Sequence, residues 1–142
     1  MQFHTQTSSQ GFTLIELVVV MSLVVLLASS AVPSWQQWLL RSRRHEATTH
    51  LMRGLLWVER YRQMHGISPP PEAWPAEWQV TPQGHYRLAW VQQENGAMAL
   101  EATPQNQQAQ DVCGILVLWE TGERAIRPLQ QAPASPSHCW AG

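Results

Sequence analysis

The chain has 142 residues and a net charge of -1, and all nine of its basic residues are arginine. That length supports one small domain, and the near-neutral charge gives no global pull toward nucleic acid or anionic lipid. The absence of lysine excludes a phosphate-loop lysine, a Schiff base and a Ser-Lys dyad.

Met1 to Gln10 is polar and shows no apolar periodicity, whereas Gly11-Phe12-Thr13-Leu14-Ile15-Glu16 opens a run that stays apolar to Val32. An ordinary secretory signal places its small-residue cut site after the apolar stretch. Here the small residue, Gly11, precedes it, so cleavage at Gly11 would keep the hydrophobic helix in the mature protein. Phe12 to Val32 is about the length that crosses a bilayer core. Within it, Ser22, Ser29 and Ser30 can bond back to the helix through their hydroxyls. Glu16 is the anomaly, because a carboxylate in hydrocarbon costs on the order of a few kcal/mol. Two readings stand: an interfacial Glu near a positive helix end, or a Glu whose partner is the free amine of Phe12 on a neighbouring chain.

Gly11 through Leu17 resembles the prepilin peptidase motif of type IV pilins and type II secretion pseudopilins. The resemblance implies cleavage between Gly11 and Phe12, N-methylation of Phe12, and a role for Glu16 in docking the incoming subunit. Pro33 falls where such pilins often bend the helix, since an interior proline removes a hydrogen bond and kinks the chain. There are two departures. Met1 to Gln10 has no Lys or Arg, and six arginines follow the span between Arg41 and Arg62. By themselves they favour the opposite topology under the positive-inside rule; the cleavage motif decides for a head in the periplasm.

Trp35 to about His65 reads as continued helix, with Ala47, Leu51, Leu55, Val58 and Tyr61 in one apolar stripe. Arg44, Thr48, Arg53, Arg60 and Gln63 lie elsewhere on the wheel, and Arg41, Arg43 and Arg44 read as a solvated face rather than a phosphate site. Glu59 can pair with Arg62 or Gln63. A helix from Phe12 to His65 would be about 80 Å long. Gly66 ends it, and Pro69-Pro70-Pro71 cannot continue it.

Beyond Pro71 the period becomes two. His85 to Gln92 places Tyr86, Leu88 and Trp90 on one face, Asn95-Gly96 is a turn signal, and Ala97 to Ala102 returns as the second strand of a hairpin. Val112 to Glu120, a turn at Thr121-Gly122, and Arg124 to Arg127 predict a second hairpin. Thr103 to Asp111 between them is a polar loop, and Ala134 to Trp140 has no predictable structure. The expected fold is α+β: a long N-terminal helix packed on a small antiparallel sheet of about four strands. The expected segments are a leader (1–11), a transmembrane or filament-core helix (12–33), the amphipathic half of the helix (34–66) and a globular head (67–142).

Cys113 and Cys139 bracket the second hairpin. In a head outside the cytoplasm they are expected to be oxidised to a disulfide. The alternatives are a catalytic Cys-His pair, with His138 beside Cys139, and a metal site, but the chain shows no established metal-ligand spacing. Arg43-Arg44 through Glu59-Arg60-Tyr61, then Cys113-Gly114, Thr121-Gly122 and Cys139-Trp140, are similar to the PilE-type minor pilins. That resemblance implies a variable, subunit-contacting region bounded by the two cysteines.

The function expected first is therefore a structural one, without enzyme activity or cofactor: a minor pilin that helps initiate or assemble type IV pili used in motility and adhesion. Its implied partners are the prepilin peptidase, an inner-membrane assembly platform and other pilin and minor pilin subunits. Its implied location is the inner membrane and then the extracellular pilus. A secretion pseudopilin is the second reading. The third is a DNA-binding minor pilin for competence, using Arg87, Arg124, Arg127, Trp119 and Trp140 as a basic, aromatic surface. An enzyme has little support: no carboxylates are suggestively paired, and His50, His65 and His85 are scattered along the chain.

Overall fold

The structure, a computed structural model, describes residues 11–129 and 134–140, without the side chains of residues 30–34. The polar leader before Gly11 thus lies outside the described residues, as does the side chain of Pro33, the expected kink. The elements run α1 (Leu14–His65), β1 (Tyr86–Gln92), β2 (Met98–Pro104), β3 (Ile115–Trp119), β4 (Arg124–Arg127) and α2 (Pro136–Trp140). Short 3-10 turns occur at Pro71–Ala73, Ala76–Trp78 and Asn106–Gln110. The chain divides into two compact units, Met1–Trp38 and Leu39–Gly142.

In the first unit, Leu14 to Leu27 leaves its apolar side chains exposed. The Ser22 hydroxyl donates to the Val18 carbonyl at 2.8 Å and that of Ser29 to Leu26 at 2.7 Å, so the helix satisfies both polar groups internally. Among the described residues no helix is long and apolar enough to cross a membrane. The described side chains of the apolar run stop at Ser29, short of Val32. Trp35 and Trp38 stack on each other at 5.0 Å and stay exposed.

In the second unit, α1 buries Ala47, Leu51 and Val58 completely, as a stripe at spacings of four and seven requires. Gly54 lies on that stripe because a Cβ there would stand 2.8 Å from the Trp74 ring and 3.0 Å from Leu100. Trp74 in turn packs edge-on to Trp57 and Trp78, filling the corner between α1 and the loop that follows it. Gly66, at φ 73°, donates its N–H to the Arg62 carbonyl and ends the helix.

The sheet is a four-stranded antiparallel meander in the order β1-β2-β3-β4. Tyr86, Leu88 and Trp90 of β1 face the core opposite Pro104, Ala102 and Leu100 of β2, and Leu116 and Leu118 of β3 continue that face. The first hairpin turns through Glu94, Asn95 and Gly96, with Gly96 at φ 83° and Gln93 and Ala97 closing the turn. Gly114 is at φ 59°, and a Cβ would meet the Arg127 carbonyl oxygen at 2.5 Å, so only glycine fits where β3 begins.

Three expectations need correction. The tail from Ala134 is not without structure: α2 forms there, its Cys139 and Trp140 buried, because a covalent bond and a core contact hold it. The loop from Thr103 to Asp111 is not merely a solvated connection, since Gln108 and Asp111 are buried. Arg44 is not on the solvated face; it is 7% exposed and points into the head.

Candidate functional site

The N-terminal motif forms a helix start. The Glu16 N–H donates to the Thr13 hydroxyl at 3.3 Å and the Leu17 N–H to the Thr13 carbonyl at 3.2 Å, which makes Thr13 the cap. Thr13-x-x-Glu16 is the sequence pattern of a capping box, so the motif marks a helix start in addition to carrying the lone carboxylate. Phe12 and Glu16 are both exposed, Phe12 by 82%. A carboxylate in the first turn also meets the positive end of the helix dipole.

The head is fastened to α1 by a buried ionic cluster. Arg44 Nε donates to Asp111 Oδ2 at 2.9 Å and Nη2 to Oδ1 at 3.0 Å, a two-pronged pair that matches guanidinium to carboxylate geometry. The Cys113 backbone N–H donates to Asp111 Oδ1 at 3.1 Å. Gln108 Nε2 lies within 3.0 to 3.1 Å of Asp111 Oδ2, the Tyr86 hydroxyl and the Leu40 carbonyl. The cluster thus joins α1, β1 and the β2–β3 loop at one point.

Burial pushes the Tyr86 phenol well above its usual value near 10, and the Asp111 charge adds to the rise against smaller opposing effects of Gln108 and Arg44. Above about pH 10 the unfolded chain ionises this phenol while the folded chain keeps it neutral, so stability is full below that pH and falls as pH rises. The chain has two tyrosines. In a Tyr61→Phe chain, ultraviolet titration is expected to show no phenolate until alkaline unfolding. A phenolate appearing near pH 10 with tryptophan fluorescence still native would contradict the burial effect.

Cys113 and Cys139 form a disulfide across a sequence separation of 26 residues, and no described cysteine is free. The catalytic Cys-His and metal alternatives fall with it. Among the described residues, no group of three or more His, Cys, Asp or Glu is placed to hold a metal ion.

The five residues proposed for a DNA surface do not form one patch. Arg87 is on β1, at the opposite edge of the sheet from Arg124 and Arg127 on β4. Arg124 is exposed and lies over Trp140 at 5.6 Å. With Thr48, Thr49 and Met52 these two line a hollow of about 190 Å3. Trp140 is itself buried, its indole N–H donating to the Ala125 carbonyl at 3.0 Å. Arg127 faces the other side of β4, where it binds Glu101 at 2.6 Å and Gln93 at 2.9 Å. There it borders a groove of about 780 Å3 that includes Trp119, Asn95 and Glu94.

The stretch from the lower part of α1 to β3, holding every partner in the Arg44 cluster, is also the stretch that matches a known family. Residues 33–117 match the family described as type IV minor pilin ComP, DNA uptake sequence receptor. The chain belongs to this family of type IV minor pilins. Residues 6–32 of the minor pilin match the prokaryotic N-terminal methylation motif, which covers Gly11, Phe12 and Glu16. No curated protein matches the chain. As a minor pilin it falls in a class of structural subunits that associate with other pilins and the pilus machinery.

Proposed function

We propose that this minor pilin serves type IV pilus-dependent DNA uptake, its head contacting DNA while its N-terminal helix joins the filament. The family match over residues 33–117 carries this reading, because the family description names a DNA uptake sequence receptor. It moves the DNA reading ahead of pilus initiation, which the sequence motifs alone put first. The exposed Arg124 over Trp140 is the contact favoured on the head: its guanidinium has no ion-pair partner among the described residues, while Arg127 is held by Glu101. Phosphate contacts supply most of such affinity and make it fall with salt.

The test is anisotropy of labelled duplex DNA with the full-length, detergent-held chain across a salt series. Binding is expected at low salt, and Arg124→Ala is expected to reduce the logarithmic salt slope by about 1. No binding by the unaltered chain at the lowest salt would remove the proposal.

The N-terminus supports an assembly role in the same protein. On this reading the prepilin peptidase cuts between Gly11 and Phe12, Phe12 is methylated, and the helix anchors the chain in the inner membrane with its head in the periplasm. Glu16 then pairs with a neighbour's Phe12 amine as the helix leaves the bilayer for a bundle, which keeps both charges compensated. Glu16→Val is expected to leave cleavage intact, as read by intact mass, and to remove the chain from sheared filaments. Incorporation at the normal level would refute the docking role.

A further inference from the structure

We propose that the exposed face of α1 between Arg41 and Met64 docks against a helix of a different, carboxylate-bearing pilin subunit, and not against a second copy of this chain. The proposal rests on the assembly reading above and is independent of the DNA reading. Arg41, His45, Thr49 and Arg53 follow one another at four-residue spacing, and Leu56, Arg60 and Met64 continue the face; all seven are exposed. From Arg41 to Arg60 the ridge extends about 28 Å.

Its charge has one sign. None of Arg41, Arg53 and Arg60 has an ion-pair partner among the described residues, and the three carboxylates of α1 are engaged or placed elsewhere. Glu16 is in the first turn, Glu46 accepts from the Gln83 N–H on the flank toward the α1–β1 loop, and Glu59 holds Arg62. Two copies laid ridge to ridge would set arginine against arginine with no acid to separate them, and like charges in register oppose pairing. A partner helix carrying Asp or Glu at the facing positions converts the same ridge into a matched set.

DNA would also answer the charge, but not the apolar residues. Leu56 is 66% exposed and Met64 71%, each within a turn of an arginine. Apolar anchors ringed by arginine fit a protein surface, whereas a phosphate backbone offers Leu56 and Met64 nothing to pack on. The consequence is a subunit that enters a filament singly among other pilins and does not polymerise alone.

The experiment places a lone thiol on the ridge with His45→Cys in the full-length chain, expressed in its own cells, labels it in isolated filaments and membranes with a maleimide-benzophenone, and irradiates, so that the ketone inserts into a C–H bond of whichever chain lies against the ridge. The expected main product, by mass spectrometry, is a heterodimer with another pilin-type chain, linked at a peptide that carries Asp or Glu within a helical turn. Arg53→Glu with Arg60→Glu is expected to lower its yield at least about tenfold, and lysine at both positions to preserve it. A predominant homodimer, no adduct from a chain present at its normal level, or a yield indifferent to charge reversal would each overturn the proposal. So would charge reversal that abolishes DNA binding while leaving the cross-link intact, which would assign the ridge to nucleic acid. Loss of DNA binding through Arg124→Ala with the cross-link unchanged supports docking and leaves the two readings separate.

Discussion

Asp111→Ala is expected to destabilise the head by about 3–5 kcal/mol, the range for removing one partner of a buried ion pair. The cost has two parts. Arg44 is left charged and buried with no counter-ion, and the Cys113 N–H and one Gln108 N–H lose their acceptor. Urea unfolding of the full-length chain in detergent, followed by tryptophan fluorescence, measures it. Arg44→Met alone should cost a similar amount, because it strands the Asp111 carboxylate instead. The Arg44→Met, Asp111→Leu double variant should cost clearly less than the sum of the two singles, because neither charge is then stranded. Additive losses would mean that the two side chains act on stability independently, against the 2.9 and 3.0 Å contacts between them.

Cys113→Ser with Cys139→Ser is expected to cost about 3.5 kcal/mol, the chain-entropy value for a loop of this length. The sequence separation of 26 encloses β3 and β4, so an open chain must order two strands that the closed chain already holds near their positions. The same loss should follow dithiothreitol treatment of the unaltered chain, and the serine variant should be indifferent to the reductant. Alkylation of the intact, non-reduced protein should find no free thiol. Two reactive thiols, or equal unfolding midpoints with and without reductant, would contradict the cross-link.

The elements that sequence made legible are those whose pattern depends on one element alone. Ala47, Leu51 and Val58 repeat at helical spacing whatever they pack against, and Tyr86, Leu88 and Trp90 alternate in the same self-contained way. The turns at Gly96 and Gly122 announce themselves through residues that tolerate positive φ. Arg44 escaped for the opposite reason. Its partner lies 67 residues away in a polar loop, and an arginine on a helix followed by a glutamine-rich loop carries no mark of burial. Gln108 and α2 were hidden in the same way, since their order comes from contacts made only once the helix, the sheet and the disulfide meet. The arginines of the DNA surface were legible as residues but not as neighbours: Arg124 and Arg127 are three apart on one strand and therefore emerge on opposite faces.

The short strand β4 ends the sheet, and a free strand edge is a template on which another chain can pair its backbone. This edge is blunted by an arginine at each end, by Pro128 just beyond it, and by the Trp140 indole that takes up the Ala125 carbonyl. Trp140 is adjacent to Cys139, so the disulfide also keeps that shield in place. Crowded filament subunits would thus be kept from zipping together through their sheets, and an unoxidised head would show its fault first as clumping, ahead of any loss of helix.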